Sequence, residues 1–266
     1  MALKSYCGVP GSGKTLSATV DAIRHYNKQN SPIKYAILSV LYRLGYKKVE
    51  SDLKYYDNFP YKKINNVYST YPILLDKKRK IYSNKLSLWD INNQYSFYPD
   101  SILIIDEVQL FADSDEYKDK RINLKLRDVA KFLQAHRHYG IKTIIFISQN
   151  PSRIFKKGRN ICESYLKLRK VIKIPLLPFG IIRGTGYYDM DYYGKFIPRS
   201  REERKKLPFD YYKTLKFFNT KKIFSSYDSR YLSNYNYGKP LLPYGTFDNM
   251  KVDLETLKML FENDDY

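Results

Sequence analysis

The chain alternates short apolar blocks with polar stretches rich in Lys, Tyr and Asn. Residues 2–7 are small and apolar, and the spacing that follows turns helical, with Leu16, Val20 and Ile23 on one face. A strand, a loop and a helix are therefore expected in that order. Ser31 and Pro32 supply an N-cap and a first-turn proline, and Gly45 closes a segment holding Ala36, Ile37, Val40, Leu41 and Leu44, so a second helix is expected over 32–44. A short helix is expected over 48–57, before Pro60. Residues 66–71 have the β-branched and aromatic composition of a strand closed by Pro72, and 81–91 is hairpin-like.

Ile102-Leu103-Ile104-Ile105 is an unbroken apolar run, the pattern of a strand buried on both faces of a parallel sheet, and it ends in Asp106-Glu107. Helical spacing returns at 124–138 through Leu126, Val129, Ala130 and Leu133, stopped by Gly140. Residues 143–149 then form a third buried strand that ends in the amide of Gln149. Past Lys170 the pattern breaks into short β-like pieces at 171–175 and 179–196, the second containing Gly184 and Gly186. A basic helix opened by a Ser200/Glu203 capping box follows, carrying Arg199, Arg201, Arg204, Lys205 and Lys206, and a last short helix is expected over 252–261. Strands alternating with helices predict an α/β fold with a mostly parallel sheet and helices on both faces. The change at 170 suggests a core over 1–170 and a small β-rich and helical C-terminal extension over 171–266, packed on it.

Composition narrows the function. A chain of 266 residues with 43% hydrophobic content can bury an ordinary α/β core. Its 47 Lys and Arg against 27 Asp and Glu give a net charge of +20, beyond what solubility requires, which points to nucleic acid or an anionic membrane surface. The 28 tyrosines among the lysines suit base stacking, although an A+T-rich coding sequence yields the same composition. Cys7 and Cys162 form neither a disulfide framework nor a metal cluster, so a reducing compartment is expected. No signal-peptide pattern opens the chain, and no apolar run approaches the ~20 residues of a spanning helix.

The chemistry concentrates between the first strand and the first helix. Gly8-Val9-Pro10-Gly11-Ser12-Gly13-Lys14-Thr15 fits G-x-x-x-x-G-K-[ST], in which glycines let backbone N-H groups turn inward on a triphosphate. Gly8, Pro10, Gly11, Ser12 and Gly13 would cradle ATP, Lys14 would reach its outer phosphates, and Thr15 would ligate Mg²⁺. Asp106 is expected to hold the same Mg²⁺ through water and Glu107 to act as general base. Gln149 would sense the γ-phosphate or the lytic water, or else satisfy a buried backbone group. These features together describe a P-loop NTPase of the additional-strand type. His136 and His138, two apart on different helix faces, read as capping and packing residues and not as metal ligands. Lys77-Lys78-Arg79-Lys80 reads as a solvated turn, and the 199–206 helix either as a solvated face or as a DNA contact. Arg153 and Arg159, after Pro151, are candidates for a cation that completes the site of a neighbouring subunit.

With these residues placed, the chain resembles the zonular occludens toxin (Zot) family, which includes filamentous-phage assembly ATPases and is similar to the HerA-FtsK branch of P-loop motors. The matching pieces are Gly8 to Thr15, Val67-Tyr68-Ser69-Thr70-Tyr71-Pro72, Ile104-Ile105-Asp106-Glu107-Val108, His136-Arg137-His138-Tyr139-Gly140-Ile141, Ile147-Ser148-Gln149-Asn150-Pro151 and Ser226-Tyr227-Asp228-Ser229. The resemblance implies a homo-oligomeric ring, driven by ATP and Mg²⁺, that handles phage single-stranded DNA in the host cytoplasm or at the inner face of its membrane. Members of that family typically carry a membrane-spanning segment after the ATPase domain, and none follows here. Either a phage or host partner provides membrane attachment, or the chain serves packaging or assembly in another small virus. A nucleotide-regulated DNA-binding scaffold with little turnover is the competing reading, and Glu107 distinguishes the two because a scaffold needs no base. A nucleotide kinase is disfavoured, since the chain offers a motor's Asp-Glu and Gln where a kinase needs lid arginines.

Overall fold

A computed structural model of the chain describes residues 2–54, 56, 59, 63–86, 97–108, 120–174, 177–193 and 210–227. β1 (Ala2–Cys7), α1 (Lys14–Gln29), α2 (Pro32–Arg43) and α3 (Glu50–Lys54) come first, followed by the short strands β2 (Val67–Ser69), β3 (Leu74–Asp76), β4 (Ile81–Tyr82) and β5 (Asn84–Lys85). β6 (Ser101–Ile105), α4 (Lys120–Ala135), β7 (Ile141–Ser148) and α5 (Lys156–Asn160) complete the first two thirds. Three further strands, β8 (Ser164–Lys173), β9 (Phe179–Tyr187) and β10 (Tyr211–Asn219), lead to the short helix α6 (Thr220–Phe224).

Eight strands form one sheet in the order β10-β9-β8-β1-β7-β6-β2-β5. From β8 to β5 every pairing is parallel, and β9 and β10 add antiparallel strands at one edge. The α/β class is therefore observed, and β7 lies between β1 and β6 as the additional strand. Period-two alternation sorts the buried residues between the two faces. Leu3, Leu103, Ile105, Ile144 and Phe146 pack with Val129, Phe132 and Leu133 of α4, whereas Tyr6, Ile102, Ile104, Ile145 and Ile147 pack with Leu16, Val20 and Ile23 of α1. All five residues of β6 are buried, as an unbroken apolar run demands.

Of the β-like pieces expected after 170, the first is part of a longer strand, Ser164–Lys173, and the second ends at Tyr187, short of the expected 196. β8 crosses residue 170 and β9 runs without a break through Gly184 and Gly186. Those glycines are strand residues because side chains lie over them, and a Cβ at Gly186 would meet the Tyr212 ring at 2.1 Å. β10 is tied back over α1 by Lys216, whose Nζ donates to Asp21 Oδ2 at 2.6 Å, Ser17 Oγ at 2.8 Å and Tyr6 Oη at 3.0 Å. Burial pushes the Lys216 ammonium down, and the three acceptors offset that cost.

The basic run at 77–80 is the exposed turn joining β3 to β4. α2 forms where its pattern places it, yet Ile33, Ile37, Val40 and Leu44 on its apolar stripe are exposed. His136 is buried with Nδ1 2.6 Å from the Leu133 carbonyl oxygen, and His138 is exposed. Both cysteines are free, and burial pushes the Cys7 thiol up to about 12. The far half of the 81–91 hairpin, the 199–206 helix, the 252–261 helix and Pro60 lie outside the described residues. Among the described residues no helix is long and apolar enough to cross a membrane.

A candidate nucleotide site at the carboxyl ends of β1 and β6

The loop from Gly8 to Gly13 turns because its glycines take backbone angles closed to other residues. Gly8, Gly11 and Gly13 have φ of 151°, 76° and 87°. A Cβ at Gly8 would lie 2.6 Å from the Leu168 carbonyl oxygen, and one at Gly13 would lie 2.4 Å from Val171 Cγ2, so β8 forms one wall of the loop. Gly13 caps α1 without any side-chain hydrogen bond, which leaves the helix N-terminus open to an anion. Lys14 Nζ is buried and donates to the carbonyls of Gly8 at 2.9 Å and Val9 at 3.2 Å.

Chain topology brings Asp106 to the same place. β7 pairs with β1 and β6 on its two sides, so the carboxyl ends of all three strands align, and Gly8 N donates to the Gln149 carbonyl at 3.3 Å. Thr15 Oγ1 donates to Asp106 Oδ2 at 3.0 Å. The Asp106 backbone N-H is received by Thr70 Oγ1 at 2.9 Å, and its Oδ1 accepts from Glu107 N at 2.9 Å. Burial pushes the Asp106 carboxyl up to about 6, the charge of Glu107 adds to this, and the Thr15 hydrogen bond opposes it. Glu107 sits half-buried in a left-handed conformation with φ of 47°, an arrangement that costs energy for a residue with a Cβ and is concentrated at functional sites.

Three observations show that these residues suit a phosphate and a divalent cation. Ser12 Oγ is buried without a partner, the Gly8 and Gly13 walls leave no room for a Cβ, and Thr15 with Asp106 presents the hard oxygen donors that Mg²⁺ takes. Gln149 is exposed at the end of β7, beside the loop. Arg153 is exposed, whereas the Arg159 guanidinium donates to the Ser152 carbonyl and the Arg159 carbonyl accepts from Tyr165 Oη at 2.7 Å. Arg159 is thereby engaged within its own segment.

Roles of three residues emerge only from the fold. Thr70 holds the turn that carries Asp106. Tyr71, buried, shares a 3.0 Å hydrogen bond with Thr19 Oγ1, donates to the Thr15 carbonyl at 3.4 Å and stands edge-on to Tyr227 at 6.3 Å. The Tyr227 phenol is pushed up to about 12 by burial first and by Asp106 second, so the end of the extension reaches the site. Backbone bonding from Leu74 N to the Ser226 carbonyl at 2.7 Å anchors it there. The available signal was their place in the Val67 to Pro72 and Ser226 to Ser229 motif pieces, which assigned them no task.

Among solved structures, the chain is similar to the N-terminal domain of zonular occludens toxin from Neisseria meningitidis, at 15% identity and a TM-score of 0.42, over 85% of this chain and 98% of that one. It is also similar to the genome packaging NTPase B204 of Sulfolobus turreted icosahedral virus 2 in complex with ATPγS, at 17% identity and a TM-score of 0.32, over 82% and 97%. No curated protein sequence matches the chain. Residues 2–177, which include the whole of the site just described except Tyr227, match the family described as zonular occludens toxin (Zot), and the chain belongs to that family.

Proposed function

We propose that the chain is a Mg²⁺-dependent ATP hydrolase that works as a homo-oligomeric motor on phage single-stranded DNA, in assembly, extrusion or packaging. The observation that carries the catalytic half is the 3.0 Å contact of Thr15 with Asp106, because it joins a phosphate-loop hydroxyl to a strand-end carboxylate with hard oxygen donors and nothing else. Net charge of +20 and the family support the DNA half.

In this reading the N-H groups of Gly11, Gly13, Lys14 and Thr15 and the Ser12 Oγ receive the phosphates, and Lys14 keeps the loop closed through Gly8 and Val9 while turning its remaining N-H toward them. Mg²⁺ held by Thr15 and Asp106 would neutralise charge on the outer phosphates. Glu107, one residue beyond Asp106, takes the proton of the attacking water, and Gln149 orients that water. A neighbour's Arg153 or Arg159 supplies positive charge that the loop lacks.

The test is ATP turnover titrated against Mg²⁺, with and without single-stranded DNA. Thr15→Ala and Asp106→Asn are expected to need at least about tenfold more Mg²⁺ for half-maximal rate, as loss of one metal donor implies. An unchanged Mg²⁺ requirement in both variants, or wild-type protein that hydrolyses no nucleotide, overturns the assignment.

A further inference from the structure

The antiparallel edge of the sheet carries charge of one sign. β8, β9 and the turn between them contain five Lys and Arg, β10 and α6 contain four more, and none of these segments contains an Asp or Glu. The register shows which side chains share the outer face: Arg183 is opposite Leu215, Ile181 opposite Phe217, and Phe179 opposite Asn219. The residues between them, Ile182 and Phe218, point inward and are buried in the α1-side core.

Large apolar side chains gather at the β8–β9 turn and the adjoining end of β10. Leu177 is 55% exposed, Phe179 46%, Leu215 58%, Phe217 55% and Phe224 41%. Phe224 stands edge-on to the inward-pointing Phe218, whereas Phe179, Leu215 and Phe217 share the outer face with Leu177 at the turn beside them. Single exposed apolar residues are ordinary, but four around one hairpin end form the kind of patch that marks an interaction site. Lys173 Nζ stands 4.9 Å from the centre of the Phe224 ring, and Lys221 and Lys222 are exposed beside it. The turn's backbone is internally bonded, from Ile174 N to the Phe179 carbonyl at 3.1 Å, Leu177 N to the Ile174 carbonyl at 3.3 Å and Thr220 N to the Pro178 carbonyl at 2.8 Å. β8 continues six residues past its last pairing with β1 at Lys167; Leu168 and Val171 in that stretch wall the Gly8–Gly13 loop, and the turn lies beyond them.

We propose that this hairpin end docks on an anionic phospholipid bilayer, with the apolar side chains entering the interface and the lysines held at the headgroups. Three points select that occupant. The charge calls for an anionic partner, and a second copy offering the same face would set cations against cations. Bases stack on aromatic rings and cations and make no use of aliphatic chains, whereas Leu177 and Leu215 are as exposed as the phenylalanines of this patch. The bonds already made by the Ile174 and Leu177 N-H groups lower the cost of bringing them into an apolar layer. The docking stands whether or not the chain hydrolyses ATP.

The full chain should co-sediment with vesicles of phosphatidylcholine and phosphatidylglycerol, and at least about tenfold more weakly with phosphatidylcholine alone, as lysine attraction to anionic headgroups predicts. Leu177→Asp with Phe217→Asp, both exposed, should lower binding to the anionic vesicles by at least about tenfold with an unchanged melting temperature and nucleotide affinity. Lys221→Glu with Lys222→Glu, which touches no apolar position, should remove the preference for anionic vesicles. Wild-type protein that ignores both vesicle types, or an Asp pair that sediments like wild type, overturns the proposal. So does an Asp pair that loses oligothymidine binding while keeping vesicle binding, which would make this face a nucleic-acid platform.

Discussion

Thr15 and Asp106 are 91 residues apart in the chain and joined by a 3.0 Å hydrogen bond. One is the second residue of α1 and the other follows the last residue of β6, so the bond exists only when β7 has been inserted between β1 and β6 and all three ends align. The geometry of the candidate nucleotide site is thereby tied to the state of the sheet as a whole.

Thr70→Val should separate positioning from binding. The substitution keeps the shape of Thr70 and removes the oxygen that accepts the buried Asp106 N-H. An unsatisfied buried donor costs about 1–3 kcal/mol, so the melting temperature should fall. ATP affinity should stay within a few-fold while kcat drops, since Lys14 and the loop are untouched. Equal loss in KM and kcat would show that Thr70 acts on the loop itself.

Gly13→Ala should destabilise the protein without any nucleotide present. The alanine Cβ would be 2.4 Å from Val171 Cγ2, on a backbone with φ of 87°, and strain of this kind costs about 1–3 kcal/mol before the clash is counted. Adding Val171→Ala should recover the clash and leave the backbone strain. Denaturant midpoints of the two variants measure the difference. Full recovery by Val171→Ala would mean that φ at Gly13 is not a constraint.

Much of this site was readable in the sequence because it rests on local signals. Glycine spacing marks Gly8, Gly11 and Gly13, and the unbroken Ile102 to Ile105 run ending in acids marks Asp106. The antiparallel edge was readable only in part: Gly184 and Gly186 fall within the β-like piece expected over 179–196, but the Leu168 and Tyr212 side chains that lie over them belong to other strands and are seen only in the fold. Thr70, Tyr71 and Tyr227 were invisible as functional residues for the same reason, since each acts through a partner far away in the chain. α2 shows the opposite limit: its pattern specifies a helix and says nothing of whether the apolar stripe meets a neighbour.

Stability should fall in mild acid through His25. Burial holds the His25 imidazole down at about 4 from its usual 6.5, against a hydrogen bond with the Asp100 backbone that raises it, and Nε2 is buried without a partner. The folded protein thus binds fewer protons than the unfolded chain between these values. His25 contributes its stability above pH 6.5 and loses it as pH falls from 6.5 toward 4, by at most about 3 kcal/mol. His25→Leu should flatten that part of the stability profile measured by urea unfolding. An identical profile would mean that the imidazole is solvated when charged.

Mixed oligomers test the proposal that a neighbouring subunit supplies a cation to the site. Glu107→Gln and Arg153→Ala proteins, each inactive alone, should regain part of the wild-type ATPase activity when mixed, because one interface then pairs an intact Glu107 with an intact Arg153. Arg159→Ala should complement less well, since its guanidinium already serves the Ser152 carbonyl in its own chain and its loss disturbs that segment. Mixtures that form hetero-oligomers yet stay inactive at all ratios would place the cation elsewhere.

In the proposed mechanism Glu107 activates water beside a nucleotide held by the phosphate loop and Asp106. Single-turnover hydrolysis of ATP by Glu107→Gln, measured with ATP and Mg²⁺ affinity on the same preparation, tests it most directly. Binding should stay within a few-fold of wild type while the hydrolysis rate falls by about 10²-fold or more, the usual worth of a general base. Normal hydrolysis by Glu107→Gln would contradict that mechanism.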